Sequence, residues 1–197
     1  ALAALAQDNL KRLLAFSTVS QLSYVVLGVA LGTSEAVAGG VLHIAAHAVL
    51  KITLFFCAGS LYVAAHVERV SEMRGIGRRM PLTMGAFAVA AMLLTGLPPG
   101  AAFVSKWRLL LGAADAGAWL AVAALFASTL LSLAYFAPIV VRAFAGEPAG
   151  AIAEAPAAML VPLLVTAAAG LALGLAPDGL LSVLSLASLT AASVAGP

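Results

Sequence analysis

The sequence predicts an all-α protein, a polytopic bundle of transmembrane helices in which one helix is broken by a proline pair. Three observations carry that expectation. The chain is 63% hydrophobic and only 9% charged, where charged residues make up about a quarter of a soluble domain. Its mean hydropathy is +1.12. Its apolar windows are each long enough to cross a bilayer and are separated by polar or Gly/Pro punctuation. The 197 residues suffice for five or six spans of about 20 residues and leave no room for a soluble domain between them.

The opening ALAALAQDNLKR, residues 1–12, has no initiating Met and no charged n-region with a cleavage site. It reads as the end of an apolar helix running into a cytoplasmic turn, so the chain is expected to be a fragment. Leu13 to Gly32 is the first span and Val37 to Val63 the second. The third, Leu82 to Leu111, is 30 residues long, about 45 Å as a helix against about 30 Å of hydrocarbon. Gly96, Pro98, Pro99 and Gly100 interrupt it near the middle. Two prolines withdraw backbone donors and clash with the preceding turn, so the helix must break there. Broken helices at membrane depth are tolerated where the freed backbone is buried or lines a wet cavity, and in transporters they mark the ion or substrate path. Trp119 to Val141 and Pro156 to Ala176 are the fourth and fifth spans. The tail from Leu180 to Val194 is shorter and carries Ser182, Ser185, Ser188 and Thr190; spanning, lying in the interface and packing on its neighbours all stay open for it.

Charge is informative through its placement. Lys11 and Arg12 precede the first span, Arg69, Arg74, Arg78 and Arg79 lie between the second and third, and Arg142 follows the fourth. The alternate connections hold Glu35, Asp115 and Asp178, with Arg108 near the end of the third span. The positive-inside rule puts the Lys/Arg loops in the cytoplasm, so the first span runs outward and the fifth ends outside. A net charge of +2 with Arg78 and Arg79 as a pair rather than a patch argues against nucleic acid as a partner.

Within the spans, His43, His47 and Lys51 recur at i, i+4 and i+8, which places them on one gently precessing helix face with about 6 Å between successive members. Lipid exposure of such residues costs at least about 2.5 kcal/mol, so the stripe is expected to face a bundle interior or a water-filled path. Histidine titrates near neutral pH and a desolvated lysine can do so too, so the row can hand protons along bridging water. Lys106, seven residues beyond Pro99, joins the break to this chemistry. Each feature has a plainer reading. A lone histidine is usually a hydrogen-bonded core residue, proline kinks are common in membrane helices, and Lys106 can snorkel outward with Arg108. A metal site at His43 and His47 lacks a third acidic or Cys ligand and has a lysine beside it. Haem would need histidines facing each other from different helices. Cys57 reads as a packed core thiol, and His66 as a solvated loop residue. No cofactor fingerprint and no cluster ligand occurs, so any redox site is expected elsewhere.

The stretches DNLKRLLAFSTVSQLSYVVLG, LHIAAHAVLKITLFFCAGSLY, GIGRRMPLT and LTGLPPGAAFVSKWRLL, in that order, resemble the successive signatures of the antiporter-like subunits shared by respiratory complex I, membrane-bound hydrogenases and Mrp-type cation/proton antiporters. The resemblance runs from Asp8 to about Gly146. It implies a fourteen-helix fold with two inverted five-helix repeats, each with one broken helix. This chain corresponds to the second repeat over residues 1–146, followed by one or more helices over 147–197. By the same resemblance Lys51 matches the lysine of the repeat's middle helix, His43 and His47 the histidines before it, and Lys106 the lysine or glutamate of the second broken helix, near the proton exit. Lysine there leans toward the Mrp-type D subunit. Ala101 and Ala102 stand where the family usually has a Ser-Gly pair.

The expected function is therefore proton translocation by an antiporter-like subunit, along a hydrated path through His43, His47, Lys51 and Lys106. Ser17, Ser20, Thr53, Thr95 and Ser105 are candidate hydroxyls along it, although most such groups bond their own helix carbonyls. Gly28/Gly32 and Gly170/Gly174 have the spacing of close helix contacts. The expected setting is an integral membrane protein of a bacterial plasma membrane, without cofactor. Its partners are expected to be other subunits of a multisubunit complex, lipid and protons, with Na⁺ left open. The alternatives are a non-conducting bracing subunit of such a complex and an independent solute transporter.

Overall fold

The computed structural model describes residues 1–147, 153–176 and 183–195. Eight α-helices are seen among them: α1 (Leu2–Leu5), α2 (Leu10–Leu31), α3 (Ser34–Ala65), α4 (Pro81–Thr95), α5 (Ala101–Asp115), α6 (Trp119–Phe144), α7 (Ala157–Leu175) and α8 (Val183–Ala195). Four of them, α2, α3, α6 and α7, are long and apolar enough to cross a membrane. The predicted third span is divided between α4 and α5, 15 residues each. At about 22 Å apiece, neither half crosses alone. Asp178 and Ser182, and the start of the predicted tail at 180–182, fall outside the described residues. From Val183 onward the tail is helical and lies against α3.

Each boundary has a local cause. Asn9 caps α2 by accepting from the Arg12 amide, and Gly32, with φ +67°, ends it in a left-handed turn. Thr33 then caps α3 from its side chain and donates its hydroxyl to the Gly112 carbonyl, tying that turn to α5. Pro81 sits in the first turn of α4, where its missing N–H costs nothing. The Glu154 carboxylate accepts from the Leu82 amide at 2.9 Å and the Thr83 hydroxyl at 2.6 Å, satisfying that helix end.

The central helix is α3, which touches α2, α4, α5, α7 and α8. Its leucines Leu42, Leu50, Leu54 and Leu61 are fully buried. Lipid is as apolar as leucine, so close packing rather than escape from water holds such helices together. Gly39 permits a close approach to α5: a Cβ there would meet the Ser105 carbonyl at 2.7 Å. The same approach brings Ser105 of α5 level with His43, one turn further along α3. Of the predicted glycine pairs, Gly28, Gly170 and Gly174 lie in tight contacts, but Gly32 does not. It has open space around it and serves the turn instead.

The basic segments gather at one end of the bundle. The Leu10 amide bonds the Glu68 carbonyl, the Val70 amide bonds the Asp8 carbonyl, and the Gly75 amide bonds the Arg142 carbonyl. Asp8 takes the Ser71 amide at 2.9 Å and the Ser71 hydroxyl at 2.7 Å, which hold its carboxyl below the usual aspartate range. His66 is exposed at this end and closes α3 in a left-handed conformation.

Candidate functional site

The four singled-out residues all lie inside the bundle: His43 is fully buried, and His47, Lys51 and Lys106 are 7%, 5% and 6% exposed. The two histidine rings stack at 6.3 Å between centroids, the spacing expected of one helical turn. No carboxylate pairs with either buried lysine among the described residues. The ion pairs found there, Lys11–Glu68 and Arg108–Glu35, lie at the ends of the spans.

Lys106 is held by the break itself. At the end of α4 the Gly96 amide bonds Leu93 and the Leu97 amide bonds Met92, the paired closure of a Schellman motif, with Gly96 supplying the left-handed residue at φ +103°. That motif leaves the last two carbonyls, of Leu94 and Thr95, without backbone donors. The Lys106 ammonium takes both, at 3.3 and 2.7 Å, where the helix dipole also favours a cation. The Tyr24 ring lies 4.9 Å from its nitrogen. Lys51 is held more lightly. It donates to the Ser17 hydroxyl and lies 5.8 Å from the Phe136 ring centre.

His43 sits between these two regions. Its Nδ1 is 2.8 Å from the Ser105 hydroxyl, beside Lys106 in sequence, and its Nε2 is 3.1 Å from Gln21 Oε1 on α2. A charged ring donates on both sides while Ser105 donates to the Ala102 carbonyl, 3.0 Å away. A neutral ring needs only the Ser105 hydroxyl to turn and donate to Nδ1. The site thus takes either charge state of the ring with one hydroxyl rotation. His47 Nε2 is buried without a partner among the described residues.

The structure adds residues that the sequence reading passed over. Gln21 reaches Ser132 Oγ on α6 at 3.4 Å, Tyr135 donates to the same oxygen at 3.2 Å, and Tyr24 donates to Ser128 Oγ at 2.8 Å. A signal was present: Ser17, Gln21 and Tyr24 on α2 and Ser128, Ser132 and Tyr135 on α6 share the spacing i, i+4, i+7 of one helix face. Of the predicted hydroxyls, Ser17 and Ser105 join the row, whereas Thr53 and Thr95 donate to Val49 and Ala91 of their own helices.

A protein family described as NADH:quinone oxidoreductase/Mrp antiporter, transmembrane, matches residues 1–132. The NADH-quinone oxidoreductase subunit N of Desulforudis audaxviator is 44% identical over 194 residues, covering 91% of this chain and 39% of that protein. The F(420)H(2) dehydrogenase subunit L of Methanosarcina mazei is 36% identical over 182 residues, covering 85% and 27%. Among solved structures, a chain of the Mrp complex from Dietzia sp. DQ12-45-1b superposes with a TM-score of 0.89 at 27% identity, covering 100% of this chain and 45% of that one. A chain of respiratory complex I from Thermus thermophilus gives 0.86 at 29% identity, covering 98% and 41%. This chain thus spans less than half the length of these relatives.

Proposed function

We propose, for a chain that belongs to the NADH:quinone oxidoreductase/Mrp antiporter family of membrane subunits, that it carries protons across the membrane as the second five-helix repeat, residues 1–146, of an antiporter-like subunit. The observation that supports this reading most is the pair of buried lysines, Lys51 and Lys106, each without a carboxylate partner among the described residues, with His43 bonded toward both regions. Lys106 also closes the end of α4, but packing gives no reason to keep a second ammonium, Lys51, at membrane depth.

In this reading a proton moves along the Lys51, His47 and His43 row to Lys106, with His43 passing it by the hydroxyl turn of Ser105. Water bridges the row at His47, whose Nε2 bonds no protein group among the described residues. The Lys/Arg loops face the cytoplasm of a bacterial cell, and the C-terminal helices α7 and α8 pack on the repeat. The first repeat and the other subunits of a complex I-like, hydrogenase-like or Mrp-type assembly are its partners, and the electron donor, where there is one, belongs to them.

The test is proton transport by the intact assembly in proteoliposomes. Lys51→Ala and Lys106→Ala should each lower it by about tenfold or more, and the double variant should lose little beyond either single one, as expected of groups that act as a unit. Undiminished transport in both single variants would leave a bracing subunit as the surviving reading.

A further inference from the structure

Tyr24 of α2 meets both partners of the last step in the row. Its ring centre lies 5.1 Å from that of His43, with the two planes at 87°, and 4.9 Å from the Lys106 nitrogen. The side chain is 3% exposed and belongs to an apolar cluster with Leu109 of α5 and Leu125 of α6. At its tip the hydroxyl donates to Ser128 Oγ on α6 at 2.8 Å. The ring is thus packed along its sides and tethered at its end, so its contacts with His43 and Lys106 are held in place.

A count of donors gives those contacts a purpose. An ammonium has three N–H groups, and Leu94 and Thr95 accept two from Lys106. The negative face of the Tyr24 ring is available to the third. His43 has both nitrogens engaged by Ser105 and Gln21, and a positive charge on it would lie close to the same ring. No carboxylate bonds to either group among the described residues. A carboxylate at this place would bind the ammonium as a buried ion pair, which is costly to separate. A ring attracts the cation less strongly, favours it over the neutral amine and carries no charge itself.

Building on the function proposed above, we propose that Tyr24 is the positioning residue of the step between His43 and Lys106: its ring seats the cation in place of a counter-ion, and Ser128 sets where the ring stands. The ring holds the Lys106 ammonium against the end of α4 while it is charged and releases the neutral amine. It serves a charged His43 in the same way, so the charge passes between two groups that lean on one ring.

Transport by the intact assembly in proteoliposomes tests this. Tyr24→Leu should lower the rate by about three- to tenfold, and Tyr24→Phe, which keeps the ring, should recover most of it. Progressively fluorinated phenylalanines installed at position 24 change the shape of the ring little while draining its face of negative charge. Transport should fall stepwise along that series, toward the level of Tyr24→Leu, at an unchanged thermal midpoint. A flat series would overturn the proposal, because a ring that acts by shape alone does not feel the fluorines. Undiminished transport in Tyr24→Leu, with Lys106→Ala still impaired, would overturn it too and leave the role of Lys106 standing. If Lys106→Ala itself transports normally, the underlying function fails instead.

Discussion

Lys51 and Lys106 are equally buried, yet they are held by opposite means. Lys51 sits in the middle of the unbroken helix α3 and leans on one side-chain hydroxyl, Ser17, near an aromatic ring. Lys106 grips two main-chain carbonyls, of Leu94 and Thr95, that are available only because α4 stops there. The first ammonium is a guest in its helix, while the second completes one. A side-chain partner can rotate away when charge leaves, whereas a helix end deprived of its cation is left with orphaned acceptors. Under the proposed function, identical chemistry serves transport alone at one site, and transport together with structure at the other.

The largest expected effect separates the two on stability. Lys106→Met should cost about 1–3 kcal/mol by leaving buried carbonyls unsatisfied, read as a thermal midpoint lowered by several degrees in detergent. Lys51→Met, which removes a desolvated charge and leaves only a serine hydroxyl, should keep or raise that midpoint. Equal losses would break the distinction. A smaller effect sharpens it at the break. Gly96→Ala places a Cβ 3.1 Å from Lys106 Cδ in a left-handed residue and should destabilise by about 1–2 kcal/mol. Gly85→Ala on the same helix, with open space around it, should stabilise by up to about 1 kcal/mol. The smallest effect lies at the rim, where charge has ordinary polar partners. Ser71 holds the Asp8 carboxyl below its usual 3.8, so the clasp is at full strength above that value and is lost as pH falls through the lower, folded one. Hydrogen exchange at the Val70 and Ser71 amides should accelerate, relative to the intrinsic rate, over that acid range, and Asp8→Asn should remove the pH dependence.

What the sequence revealed and concealed follows from what each residue reports. The helical class was visible in the apolar windows, and the break in Gly96, Pro98, Pro99 and Gly100, because proline and glycine act on their own backbone. The row His43, His47, Lys51 was visible because the helical period is a property of one chain segment. Which residues face that row was not, because neighbouring helices meet through packing that one segment does not encode. Gln21 and Tyr135 are the instances: each looks like an isolated polar residue in a span until α2 packs on α3 and α5, and α6 on α2 and α5. The same reason explains Thr53, whose hydroxyl carries the right chemistry but is spent on its own helix.

Gly174 of α7 faces the broken segment so closely that a Cβ there would strike the Pro99 carbonyl and lie 2.8 Å from Gly100 Cα. The family match ends at residue 132, well short of this helix. A chain trimmed to that boundary would keep every lysine and histidine of the row and lose the roof over the bent backbone. Main-chain carbonyls would then look straight into hydrocarbon, where each unsatisfied one costs several kcal/mol. The broken helix therefore depends on a helix beyond the stretch that carries the lysines and histidines, and that helix contributes by having no side chain where the polypeptide turns.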